Sequence, residues 1–461
     1  MELTFVGAAQ EVTGSCHLLH VAGRTIALDC GMFHGRRQEA AAKNATLPVS
    51  LDQLHAVVLS HAHIDHSGRL PFLARQGFSR AIWATAATRD LCAVMLADSA
   101  HIQEKDAEFL AKRRQTFVEP LYGIRDAVRA QELTNGVPYR REFEVVAGVR
   151  AQFIDAGHIL GSATVVLDCN DGKANRRLVF SGDIGRRGLA IVRDPEIPEG
   201  ANAVIMESTY GDREHESVSE ARARLADVVR DTAARGGRVL IPAFAIGRTQ
   251  ELIYNLHGLF REGAIPPIPI YVDSPLAIDA TTVFGMHPEI LDRSENLVEQ
   301  VQKLFEYQQV HYTRDVAESK ALNSARGPMV IIAASGMAET GRILHHLANG
   351  APDPKNTVLI VSFQPEHTLG RRIVERRPSL RILGQDVPLR ARVEVINGYS
   401  AHADQRELVA WLDAVRERSP GLEKVWLVHG EQPAQEALQT VLRAHGYTVE
   451  APAPRSRVSL R

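Results

Sequence analysis

The chain has 461 residues, enough for two or three domains, each with its own core. A hydrophobic content of 45% and a charged content of 23% mark an ordinary globular protein and exclude an intrinsically disordered one. The formal net charge of −2 excludes a global basic field as the means of drawing in nucleic acid, and no apolar run is long enough to span a membrane.

The first stretch, Met1-Glu2-Leu3-Thr4-Phe5-Val6, lacks the basic region and apolar run of a secretory leader. Short β-rich runs broken by glycine and polar loops follow to about residue 210. They predict strands at Leu3–Val6, Cys16–Val21, Thr25–Leu28, Ala56–Leu59, Gln152–Ile154, Thr164–Leu167, Leu178–Phe180 and Val204–Met206. The stretch from Thr88 to about Lys112 reads as helix. From about 212 to 385 longer units alternate. Val239–Ile241, Ile270–Val272, Met329–Ile332 and Val358–Val361 each precede a helix, beginning after Arg248, after Pro275, near Gly341 and near Leu369. That βαβ rhythm predicts a parallel sheet covered by helices. Past about 386, strands at Arg392–Ile396 and Val425–Val428 alternate with helices and return to the first style. The tail from Ala451 is expected to be exposed and mobile. Cys16, Cys30, Cys92 and Cys169 form no CxxC pair, so neither a disulfide framework nor a thiolate zinc site is indicated, and a reducing cytoplasm is the expected location.

The most informative run is His61-Ala-His63-Ile-Asp65-His66, directly after Ala56-Val57-Val58-Leu59-Ser60. Burying three imidazoles and a carboxylate together is costly unless a cation binds them. In an extended segment alternate residues point the same way, so His61 and His63 can grip one ion. Asp65 and His66, one turn on, can reach a neighbouring one. Six further strand-to-glycine turns carry an acid or histidine. They hold Asp29, His158, Asp183, Glu207, His402 and His429. Each alone has a plain structural reading: Asp29 as a turn former, Glu207 as a helix cap, His429 as a strand-end residue. Together they meet the demand of a two-ion site. His61, His63, His158 and Asp183 would complete one sphere, and Asp65, His66 and His429 the other, with Asp183 bridging. The number of imidazoles favours Zn²⁺, with Mn²⁺ or Fe²⁺ also compatible.

The His61–His66 run with Asp29, His158 and Asp183 resembles the signature of the metallo-β-lactamase fold. Glu207, His402 and His429, in that order, resemble the three added motifs of its β-CASP branch, the family of ribonuclease J and the pre-mRNA 3′-end cleavage nuclease. The resemblance spans nearly the whole chain, including Ile241-Pro242-Ala243-Phe244-Ala245-Ile246-Gly247-Arg248 and Ala334-Ser335-Gly336-Met337. It implies an α/β fold, an αββα sandwich with an inserted β-CASP domain: residues 1–211 and 386–461 in the metal domain, 212–385 in the insert, and the active site in the cleft between. It also implies a metal-dependent ribonuclease that cuts single-stranded RNA through a hydroxide held by two Zn²⁺. Cleavage would be endonucleolytic, with 5′→3′ exonucleolytic action as a second mode. A histidine at the last motif, here His429, goes with the RNA-acting branch.

On this reading Asp29, Asp65, Glu207 and His402 are the catalytic group. His402 is the candidate acid for the departing ribose oxygen, Glu207 raises and orients it, and Asp29 orients the histidine run. Ser335, Gly336 and Arg342, at a strand-to-helix turn, are candidate phosphate contacts, and Arg248 is a weaker one. A homodimer is the expected assembly. His367 stands where relatives tend to carry glycine, and His345-His346 is expected to be solvated or capping. A DNA nuclease, a thioesterase or lactamase on the same fold, and a non-catalytic scaffold are the competing readings. Every ligand position is filled, which argues against the scaffold.

Overall fold

The computed structural model of the chain describes residues 1–114, 119–291 and 307–460. They form two compact units. The first comprises Met1–Arg187, Asp194–Glu214 and His402–Arg461; the second comprises Gly188–Arg193 and His215–Ala401.

In the first unit, alternating apolar residues give strands with two buried faces, and two seven-stranded sheets result. One runs in the order Arg457–Ser459, Glu2–Gly7, Cys16–Val21, Arg24–Leu28, Leu54–Val58, Ile82–Thr85 and Thr134–Val137. It is antiparallel up to Arg24–Leu28 and parallel beyond. The other runs Val449–Glu450, Lys424–Val428, Ala203–Glu207, Asn175–Phe180, Ala163–Asn170, Val149–Asp155 and Glu142–Val146. There the first four strands are parallel and the rest antiparallel.

Period-two alternation decides which residues meet. Leu178 and Phe180 turn inward with Phe153, Val165 and Ile205 to meet Leu3, Phe5, Leu19, Ile26 and Val58 of the facing sheet. Val179, Val204, Met206 and Leu427 point the other way. They pack on Leu408, Trp411, Leu412 and Val415 of the helix Gln405–Glu417, and on Leu438 and Leu442 of the helix Gln432–Ala444. Burying each such side chain stabilises the fold by about 1.5–3 kcal/mol relative to leaving it exposed. The long helix Ala86–Arg114 lies against Ile82–Thr85 and the edge strand Thr134–Val137 of the first sheet. The architecture is an α/β sandwich.

The second unit is built on a six-stranded sheet, parallel throughout, in the order Val310–Tyr312, Ile270–Val272, Met329–Ala333, Arg238–Pro242, Thr357–Ile360 and Arg392–Val395. The helix Val218–Ala234 leads into it. Its start is fixed by a reciprocal cap: Ser217 Oγ accepts from the Glu220 N–H (3.2 Å), and Glu220 Oε2 from the Ser217 N–H (2.8 Å).

Three expectations change. The second unit runs to Ala401 rather than ending at 385, because Arg392–Val395 pairs with Thr357–Ile360 and completes the parallel sheet. The tail is not free: Arg457–Ser459 adds to the edge of Glu2–Gly7, and Leu460 is buried. His346 is not solvated. It is buried and bonds through Nε2 to Asp273 at 2.6 Å, while its neighbour His345 is exposed.

Candidate metal centre

The histidine run begins where the parallel strand Leu54–Val58 ends, and its neighbour Arg24–Leu28 ends at Asp29. In the facing sheet the parallel strands Asn175–Phe180, Ala203–Glu207 and Lys424–Val428 run into Asp183, Glu207 and His429. His158 follows Val149–Asp155. Strand ends of both sheets thus deliver their polar residues to one edge of the sandwich, on loops sculpted over a rigid frame.

The run changes conformation part-way. Residues 61–63 are extended, and Ile64–Ser67 makes a single helical turn that carries Asp65 and His66. That turn is stitched to the Asp29 loop. Ser15 and Gly31 form a relay to the Asp65 carbonyl, each bond 2.8 Å, and Cys30 N–H donates to the His66 carbonyl at 2.8 Å. The approach is so close that a Cβ on Gly31 would lie 1.5 Å from the Asp65 carbonyl oxygen. Only glycine fits there.

Two sets of ligand atoms converge. His63 Nδ1 lies 3.2 Å from both His61 Nε2 and His158 Nε2, and Asp183 Oδ2 lies 3.4 Å and 3.5 Å from those same two Nε2 atoms. His66 Nε2 lies 3.1 Å from His429 Nε2, and the other Asp183 oxygen, Oδ1, lies 3.3 Å from it. Asp65 Oδ2 is 3.5 Å from His429 Nε2. A tetrahedron with metal–nitrogen bonds of about 2.0–2.1 Å has ligand–ligand edges of about 3.3–3.4 Å. The cage has the dimensions and the N/O donor set of a zinc-type ion. Asp183 turns one oxygen to each set.

Electrostatics agree. Burial pulls His61 and His158 well below the usual imidazole value and His63 down to about 4, so these rings present neutral lone pairs. Burial would raise Asp183, yet His429, His66 and His61 together hold it well below the usual carboxylate range. His66 behaves oppositely. Burial lowers it, but Asp183 and Asp29 outweigh that and push it well above its usual value. The second half of the cage therefore attracts positive charge.

Asp29 does not enter the cage. Its Oδ2 bonds His66 Nδ1 at 2.7 Å and accepts from Ser15 Oγ and Ser60 Oγ at 3.0 Å, while Oδ1 accepts from Ser60 N–H at 2.7 Å. It fixes the ring so that Nε2 faces inward. Glu207, fully buried, faces His402 Nδ1 with both oxygens at 3.1 Å. His402 Nδ1 is also 3.9 Å from Asp183 Oδ2. Burial pulls His402 down, but Glu207 and Asp183 overcome it and push it up to about 9.

The frame behind this pair is peptide. Ile184 N–H donates to Glu207 Oε1 at 2.6 Å, and its carbonyl accepts from Ala403 N–H at 2.8 Å. Helix Gln405–Glu417, capped by Asp404 through the Glu407 N–H at 2.8 Å, begins just past His402.

Ser335, Gly336, Arg342 and Arg248 all belong to the second unit. Arg342 is committed internally: its guanidinium donates to Asp273 at 2.6 Å and to the carbonyls of Thr313 and Arg314. Its charge is shared with buried Asp273. Ser335 Oγ accepts from the Glu339 and Thr340 N–H groups, closing the turn. Gly336 backs onto the Phe244 ring, and Arg248 is buried at the start of its helix. His367 takes φ 69°, the conformation that makes glycine the easier residue there. Sequence reasoning missed Ser15, Ser60 and Thr209, the hydroxyls that hold the cage. Ser60 and Thr209 stand close to His61 and Glu207 in the chain, whereas Ser15 lies 14 residues before Asp29 and gives no such signal.

Such a sandwich, with a histidine–carboxylate cage at one edge, defines a metallo-hydrolase. Comparison with known proteins agrees. Residues 9–235 match the metallo-beta-lactamase superfamily, 249–373 the Beta-Casp domain, and 386–452 a Zn-dependent metallo-hydrolase RNA specificity domain. The chain is 39% identical to Ribonuclease TTHA0252 of Thermus thermophilus, over 97% of each chain. It is 30% identical to transcription termination factor FttA of Methanosarcina mazei, over 94% of this chain and 67% of that one. A crystal structure of a protein of unknown function from Enterococcus faecalis V583 shares the fold, with a TM-score of 0.53 and 11% identity over 100% of this chain and 99% of that one. The chain belongs to the β-CASP ribonuclease family of the metallo-β-lactamase superfamily.

Proposed function

We propose that this protein hydrolyses phosphodiester bonds of single-stranded RNA, endonucleolytically and with 5′→3′ exonucleolytic action as a second mode, with two Zn²⁺ ions as cofactor. What carries the reading is the carboxylate of Asp183, whose two oxygens lie 3.3–3.5 Å from His61, His66 and His158 while Oδ2 is 3.9 Å from His402. His61, His63, His158 and Asp183 would hold one ion, and Asp65, His66, His429 and Asp183 the other. When bound, the cations would supply positive charge against the phosphate and ease the deprotonation of the attacking water.

The chain's own residues do the rest. Glu207 takes the Nδ1 proton of His402 as a hydrogen bond and favours the charged ring, leaving the opposite nitrogen to hand a proton to the departing ribose oxygen. Asp29 keeps His66 turned inward. The ribonuclease name of the Thermus relative and the RNA specificity domain support RNA as the polymer cut, and the archaeal relatives' name supports a role in RNA processing or termination.

The test is a parallel digest of 5′-monophosphate RNA, 5′-triphosphate RNA and single-stranded DNA, with chelator-stripped and metal-loaded protein and mapped product ends. Cleavage of RNA by the loaded protein alone supports the reading. Equal cleavage of DNA makes it a general nuclease, and unchanged RNA cleavage after stripping overturns it.

A further inference from the structure

Thr209 is buried between the Glu207–His402 pair and His429 of the cage, and its side chain touches Glu207 and His429. Its Oγ1 lies 2.6 Å from Glu207 Oε2, two residues away, and 3.0 Å from His429 Nδ1, 220 residues away in sequence. A hydroxyl owns one proton and so donates once. Three acceptors compete for it: Glu207 Oε2 at 2.6 Å, His429 Nδ1 at 3.0 Å and the His429 carbonyl at 3.1 Å. The shortest runs to a carboxylate, and charge-assisted O–H···O⁻ bonds are the strongest and fall near this length. Glu207 has every reason to accept, since its other neighbours are the N–H groups of Ile184 and Thr209 and the ring of His402. With its proton given to Glu207, Thr209 Oγ1 is an acceptor toward His429, and His429 must carry its proton on Nδ1. Asp183 Oδ1, at 3.6 Å, is the more distant acceptor for that proton.

We propose that Thr209 is a positioning residue that sets the tautomer of His429, accepting from Nδ1–H so that Nε2 presents its lone pair to the cation, and that it thereby joins the Glu207–His402 pair to the metal cage. The proposal rests on the assignment of His429 as a ligand. In the opposite tautomer an Nε2–H would point at Asp65 Oδ2, 3.5 Å away, and would close that ligand position with a hydrogen. Removing the hydroxyl makes this arrangement competitive. Partners of this kind are worth about 10–100-fold in metal affinity.

The experiment compares intact wild-type, Thr209→Val, Thr209→Ser, Thr209→Ala and His429→Ala chains, each loaded with zinc, dialysed against graded chelator and assayed for zinc per chain. In histidine-labelled protein the ¹⁵N shifts of the His429 ring, identified by their absence in His429→Ala, report which nitrogen is protonated. Expected is loss of one zinc from Thr209→Val at about 10–100-fold lower chelator than wild type. Thr209→Ser should keep both, and the Nδ1–H signature should be present in wild type and weakened in Thr209→Val. Thr209→Ala repeats the test should the valine variant misfold. Wild-type zinc retention in both hydroxyl-free variants, or an Nε2–H ring in wild type, overturns the inference. Wild-type retention in His429→Ala fails the ligand assignment itself, a separate result.

Discussion

Histidines dominate the candidate centre at the scale of single residues, and His66, His402 and His429 are each held by a group far away in the chain. His402 touches Glu207 and Asp183 and lies outside the two proposed ligand sets, so His402→Ala should retain bound metal while RNA turnover falls about 10²–10⁴-fold. Metal analysis beside single-turnover cleavage checks this, and loss of zinc would make the residue a ligand. Asp29→Ala should do the reverse. It strips His66 of its orienting partner and removes the carboxylate that Ser15 and Ser60 share, lowering metal affinity about 10–100-fold, which a chelator competition would read. The histidines were legible in the sequence because their side-chain chemistry is scarce and their spacing dense. The hydroxyls of Ser15, Ser60 and Thr209 were not, since a serine or threonine gains its role only from what tertiary pairing sets opposite it.

Among the elements, most strands of the sandwich were readable from alternation; Ile82–Thr85, Glu142–Val146 and Val449–Glu450 were missed, and two further misses share a cause. Thr134–Val137 exposes its two middle residues, and Arg457–Ser459 is short and polar, so neither shows the pattern; both exist because a neighbouring edge offers unpaired backbone groups. His346 was misread because its partner Asp273 lies 73 residues away. That contact makes a pH prediction. Burial would raise the Asp273 carboxyl, but hydrogen bonds from His346, Ser319 and Arg342 outweigh it and hold it below its ordinary value. A carboxyl depressed in the folded state contributes stability above its unfolded value of about 3.9, and that contribution is lost as pH falls through the folded value. Asp273→Asn should therefore lower stability near pH 6, by about 3–5 kcal/mol for a broken buried pair, and the gap should close in acid. Urea titrations of both proteins from pH 6 down to pH 3 would show a constant gap if the contact is idle.

At the scale of the whole chain, the two-part organisation was visible as a change of rhythm, but its far boundary was not. Arg392–Val395 looks like any edge strand in sequence, and only sheet register reveals which unit owns it. The cage should also weigh on global stability, because ions that bind only the folded state stabilise it by mass action, about 2.7 kcal/mol at a hundred times the dissociation constant. Stripping with chelator should lower the melting temperature, and added zinc or manganese should restore it. An unchanged melting curve would mean the cage is not loaded in the folded protein.

The peptide unit at Ile184 has its own consequence. His402, Glu207 and Asp183 are spaced by main-chain atoms, through the Ile184 N–H to Glu207 and the Ile184 carbonyl to Ala403. No rotamer carries that spacing, so evolution can change the side chain there without detuning the chemistry. Ile184→Val should cut RNA at the wild-type rate while losing about 0.5–1.5 kcal/mol of stability. Tolerance at Ile184, beside intolerance at Gly185, where a Cβ would lie 1.8 Å from the Gly157 carbonyl oxygen, would be the mutational fingerprint of a distance written into the backbone.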